Sequence, residues 1–258
     1  MARTRTDASA SETLVAWANA WLAGNCGRDE VADVLEKEHG PQQVTGVSHP
    51  AVADREQPLR TLLDVLRGQR LTAFRLALPA PGDPLGLTGP KEFNLPAVDA
   101  GEAVLVELGE APLGLVPTAD VRGSSYRGLR WQAHLVHRAS AGTPTLAEAE
   151  QALNLTLRDT ADALLALDTA GWRPAASSAL AELRAPADVP PLAPGYPQRA
   201  CRVAAQADRL AAITAAGLAD DGGSVTAHEV DARRASLRDL EHAVRRALVA
   251  AHNAVTDG

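Results

Sequence analysis

Three alternating or apolar runs are each interrupted by residues able to do chemistry. Arg75 is the charge in "LTAFRLAL" (71–78), and Glu107 is the charge in "AVLVEL" (103–108). In "LRWQAHLVH" (129–137), Arg130, Gln132 and His134 alternate with Leu129, Trp131, Ala133 and Leu135. Successive side chains of an extended chain point to opposite faces, so a sheet built from these runs gathers Arg75, Glu107, Arg130 and His134 on one side. That set holds a candidate base, His134 or Glu107, and two guanidiniums whose forked donors suit a carboxylate or phosphate. An enzyme acting on a small anionic substrate would use it as general base plus anion clamp. The plain alternative for the same residues is a solvated sheet face whose charges pair across strands.

Between the Arg75 and Glu107 runs lies "LPAPGDPLGLTGPKEFNLPAVDAG" (78–101), a long excursion with five prolines between Pro79 and Pro96. Loops of this length are often functional, and the prolines limit the unfolded ensemble. It carries Lys91, Phe93 and Asn94 and leaves and returns where it would roof the polar face, as a lid over an anionic ligand. Phe93 as a core anchor and Asn94 as a turn residue are the structural alternative. A second irregular stretch, "TADVRGSSYRG" (118–128), is expected to wall the opposite side with Ser124, Ser125 and Tyr126.

Other chemistries find no support. In "GLTGPK" a proline separates glycine from lysine and Glu92 follows Lys91, so the segment is not a phosphate loop. There is no GxSxG elbow and no HExxH pair, and Cys26 and Cys201 have no zinc spacing. No metal and no cofactor are expected.

The elements that position these residues read as an α+β chain. Leu14, Trp17, Ala18, Trp21 and Leu22 recur at helical spacing behind a Ser9-x-x-Glu12 capping box. A second helix ends at Gly40 and a third at Gly68, with 40–58 as a connection. The runs 71–78, 103–108, 113–117 and 129–137 predict a small, mostly antiparallel four-stranded sheet spanning about 71–137, since Gly109 to Pro112 is too short for a parallel crossover.

Beyond "RASAGTP" (138–144) the chain reads as an antiparallel helical bundle. Capping boxes at Thr145-x-x-Glu148 and Thr226-x-x-Glu229 open two of its helices, with a short helix near 178–184 and a Pro-rich crossing at 185–197. The last helix carries Arg233, Arg234, Arg238, Glu241, Arg245 and Arg246 opposite its apolar stripe, either a solvated face or a docking surface. Two domains follow, 1–138 with the sheet and 139–258 helical.

With 258 residues and 46% apolar content the chain can bury a large core without staples. A net charge of −7 opposes nucleic-acid binding. The N-terminal Arg3 and Arg5 precede an apolar stretch as in a signal peptide, but Asp7 and Glu12 break the pattern, and no run is long enough to span a membrane. A cytoplasmic location with free thiols follows from the cysteine usage. Partners are expected to be a protein or a small anionic ligand, without nucleic acid or membrane, and a homodimer is compatible with the sequence.

The run "LALPAPGDPLGLTGPKEFNLPAVDAGEAVLV", then "PLGLVP" and "LDTAGWRPAASSALAELR", resembles a family of uncharacterised proteins of GC-rich actinobacteria over about 70–190. The resemblance brings no activity, cofactor or catalytic residue. The expected function is therefore non-catalytic binding or protein interaction, with the anion-directed enzyme or ligand-binding protein as the alternative.

Overall fold

The computed structural model describes residues 8–46, 49, 52, 55–109, 111–138, 142–166, 191–219 and 227–255. Ser9 caps the first helix, α1 (Ala10–Leu22), through the expected capping box with Glu12. Helix α2 (Arg28–His39) stops at Gly40, whose left-handed backbone (φ 78°) only glycine adopts freely, and α3 (Leu59–Arg67) stops at Gly68. Leu14, Val15, Leu35, Leu62, Leu63 and Leu66 are all buried, so the periodic stripes are core stripes.

Among the described residues the sheet has six strands, not four. They are β1 (Gln42–Gly46), β2 (Gln57–Pro58), β3 (Ala73–Ala77), β4 (Ala103–Glu107), β5 (Leu113–Arg122) and β6 (Tyr126–Leu135), in the order β2-β1-β6-β5-β4-β3. The four expected strands pair antiparallel, and the mostly antiparallel sheet is mixed because the added β1 pairs parallel with β6. Some eighty residues separate these two strands, ample for the crossover that parallel pairing needs. Both added strands lie in 40–58, which reads as a connection because "QQVTG" and "QP" carry little apolar content.

Registers place Phe74, Leu76, Val104, Val106, Leu113, Leu115, Trp131 and Ala133 on one face. Helices α1, α2 and α3 cover this face, and all eight side chains are buried. The Trp131 indole N–H is satisfied by the buried Gln42 side chain at 2.8 Å.

Two further corrections concern the irregular stretches. The excursion 78–101 ends in a helix, α4 (Lys91–Ala100), with Pro96 inside it. Residues 118–128 are the end of a long β5–β6 hairpin, turning at Gly123 to Ser125, so they form no separate wall.

In the C-terminal part, α5 (Leu146–Ala166) opens with the Thr145–Glu148 capping box, followed by α6 (Gln198–Ala219) and α7 (Ala227–Asn253). Arg199 bonds Glu150 at 2.7 Å and Gln206 bonds Asn154 at 3.1 Å, contacts that advance together along both helices. Helices α5 and α6 therefore run parallel, a departure from the antiparallel bundle; α7 returns against them, with Arg233 near the end of α6 at Gly217. The helix expected at 178–184 and the Thr226 cap fall outside the described residues.

Described residues of Ala8–Thr143, Pro191–Pro197 and His252–Gly258 cluster into one compact unit, and those of Pro144–Pro190 and Gln198–Ala251 into another. Among the described residues no helix is long and apolar enough to cross a membrane.

Candidate functional site

The second face of the sheet carries all four strand residues. Arg75, Leu105, Gly114 and His134 form one cross-strand row, each the register partner of the next. Glu107 lies two residues along β4 from Leu105, and Arg130 four residues back along β6 from His134. Alternation thus predicts the shared face correctly, but sharing a face is not convergence. Three strand spacings put the Arg75 and His134 backbones about 14 Å apart, and Arg130 is about 13 Å from His134 along its strand.

The four residues separate into three local arrangements. Arg75 Nε donates to Glu107 Oε1 at 2.5 Å, with side chains 25% and 27% exposed, a half-buried pair at the sheet edge. Arg130 turns the other way, donating to Asp120 Oδ1 at 3.1 Å. Asp120 is buried and also accepts from Arg122 Nε at 3.1 Å, while Arg122 pairs with Glu56 and lies 5.3 Å over the Tyr126 ring. The hydrogen bond from Arg122 holds the Asp120 carboxyl below the usual carboxylate range, and the same contact pushes the Arg122 guanidinium up.

His134 is the third arrangement. Helix α4 lays Phe93 over Gly114, where a Cβ would come within 2.5 Å of the ring. Phe93 then meets the His134 imidazole at 5.8 Å between centroids, tilted by 52°. This packing joins Ala77, Ala97, Ala103, Leu105, Val116 and Val136 in a small second core under α4. Burial pushes His134 below its ordinary value, so the ring is neutral at pH 7. Its Nε2 is buried without a hydrogen-bond partner in the described structure, as is Arg130 Nε.

The excursion residues are placed by α4. Phe93 is completely buried, and Asn94 Oδ1 accepts the Gly89 N–H at 3.0 Å, closing the turn into the helix. Lys91 is exposed at the first helical position. Tyr126 sits at the hairpin end, four residues along β6 from Arg130 and beside Arg122. Thr118 and Gln132, on the same face between His134 and the hairpin end, are exposed.

Among the described residues no group of His, Cys, Asp or Glu is arranged to hold a metal. Of the basic face expected on α7, Arg233 is buried and donates to the Gly217 carbonyl at 2.7 Å, so it belongs to helix packing and not to a solvated surface. Sequence reasoning also missed Asp120, Asn19 and Asn253, all buried polar residues. The available signal was a polar residue at a position its own helix or strand buries, as Asn19 is in "AWANAWL".

Two family descriptions match the chain: "Rv1486c-like protein, N-terminal domain" over residues 11–149 and "Rv1486c-like protein, C-terminal domain" over residues 147–249. The chain is similar to the uncharacterised protein Rv1486c of Mycobacterium tuberculosis, 30% identical over 281 residues that cover 95% of this chain and 96% of the relative. It is similar too to the uncharacterised protein ML1804 of Mycobacterium leprae, 28% identical over 304 residues with the same coverage of each. No solved structure matches it.

Proposed function

The chain belongs to the Rv1486c-like family, and from that premise we propose that it is a soluble, cytoplasmic, non-catalytic binding or protein-interaction protein. One observation carries this reading: the two guanidiniums best placed to clamp an anion already hold carboxylates of the same face, Arg75 with Glu107 and Arg130 with Asp120. An incoming anion would have to displace those partners, and nothing brings His134 within reach of either pair. Distant cysteines without metal spacing and the absence of a membrane-length helix among the described residues support the location. We read the chain as two domains meeting near 138–144, the first carrying the sheet and the second helical.

A ligand-binding role at the polar face is the second reading, favoured by the buried, unpartnered Arg130 Nε. Buried polar atoms generally have a partner, so a small hydrogen-bonding anion resting between Gln132, Thr118 and Arg130 would complete this face. Native mass spectrometry of the freshly purified chain, set against its denatured mass, separates the two. The interaction reading expects a bare chain or a clean oligomer. A retained small-molecule mass that disappears in Arg130→Ala would replace it with the ligand-binding reading.

A further inference from the structure

His134 is buried at the edge of the small second core, where its Nε2 meets no hydrogen-bond partner among the described residues. A charged imidazole there would lose its hydration and gain no partner at that atom. The walls around the ring are unequal. On the sheet side β5 and β6 are joined by a continuous antiparallel ladder from Leu113–Leu135 to Arg122–Tyr126. On the other side lies α4, which supplies Phe93. Among the described residues, none of Lys91 to Ala100 bonds to a strand, and Asn94 turns its side chain back to Gly89. Helix α4 is attached by the apolar contacts of Phe93 and Ala97, while Lys91, Glu92, Leu95 and Asp99 are exposed on its outer side. Pro96 also leaves the helix one internal hydrogen bond short.

The charged groups of the surrounding elements are engaged elsewhere. Those of α4 are the exposed Lys91, Glu92 and Asp99. Arg75 of β3 and Glu107 of β4 pair with each other at the far edge of the sheet. On β6, Arg130 lies about 13 Å along the strand, and His137 Nδ1 meets the Thr88 carbonyl at 3.0 Å. Strand β1 carries no charge, and the Asp120 and Arg122 of β5 pair at its distant end. His49, after β1, meets the Ala111 carbonyl at 3.0 Å. Burial alone accordingly lowers the His134 pKa. We infer that α4 is an acid-responsive flap: protonation of His134 favours a state in which α4 has lifted from β5 and β6 and the imidazole stands in water. Parting β5 from β6 would hydrate the ring equally but breaks their ladder, whereas lifting α4 gives up apolar contacts only, the mark of a local opening.

Amide hydrogen exchange on the full-length chain between pH 7.5 and 5.5, beside His134→Gln, tests this. In the parent, the opening constants of the α4 amides should rise roughly tenfold over that range, as a hydrated imidazole of pKa 6.5 takes up its proton. Those of α1 should hold, showing that the rest of the unit stays folded. In His134→Gln the rise at α4 should vanish. An equal rise in α1 and α4 would overturn the flap, because the whole unit would then be opening together. The same rise at α4 in His134→Gln would overturn the role of His134. The parent alone gives a second check by proton NMR: a His134 ring titrating at or above pH 6.5 with α4 still protected would show that the closed state accepts the proton, and the flap would fall.

Discussion

His134 is neutral in the folded chain because Phe93 and the strands around it keep water from the imidazole. Its folded pKa lies below the unfolded value of 6.5, so in acid the unfolded chain takes up a proton that the folded chain refuses. Stability is therefore full above pH 6.5 and falls as the pH drops below it, down to the folded pKa. His134→Gln, which keeps a polar side chain without the titration, should flatten the stability profile between pH 7 and 5, measured by urea unfolding at each pH. A variant with the parent's slope would show that another group titrates there. The depressed Asp120 carboxyl acts in the same direction but lower, with stability lost only as the pH falls past the carboxylate range.

At the scale of elements, α4 explains both what was readable and what was not. Phe93 anchored to the core and Asn94 closing a turn follow from residue type alone. The helix itself was hidden, since Pro90 before it and Pro96 within it mark a loop in any local reading, and Pro96 leaves the Glu92 carbonyl without its helical donor. Contact of Phe93 with Gly114 and His134 outweighs that local cost. Phe93→Ala should thus destabilise by about 3–5 kcal/mol. Gly114→Ala, which drives a methyl into the ring, should cost about 1–3 kcal/mol. Denaturant titration checks both, and a Gly114→Ala chain as stable as the parent would mean that α4 gives way freely.

Strand legibility followed the same logic. The runs 71–78, 103–108 and 129–137 alternate or are apolar because helices cover them, and their shared polar face came out correctly. Strand β1 escaped notice because its parallel partner β6 lies far along the chain, so no hairpin turn announces the pair. Arg75 and His134 face the same way, yet nothing in the alternation of either run states that two strands lie between them.

For the whole molecule, the change from strand-like to helical sequence at 138–144 gives no sign that later chain returns to the sheet. Pro191–Pro197 and the end of α7 cluster with the sheet unit. Tyr196 donates its hydroxyl to the His252 carbonyl at 2.8 Å, and Asn253 holds Leu76. At Gly195 the backbone passes so close to Asn25 that a Cβ would lie 1.9 Å from its amide nitrogen. A fragment ending at Thr143 lacks all of these contacts and leaves the Leu76 N–H and carbonyl without their partner. The fragment 8–143 should accordingly be less stable than the same strands in the full chain, by about 2 kcal/mol or more from the Leu76 groups alone. Tryptophan fluorescence follows this unit well, because Trp17, Trp21 and Trp131 all lie in it. Equal urea midpoints for fragment and full chain would show that the segments after residue 190 lie against the sheet without stabilising it; a lower midpoint makes them part of the folding unit, as their buried hydrogen bonds require.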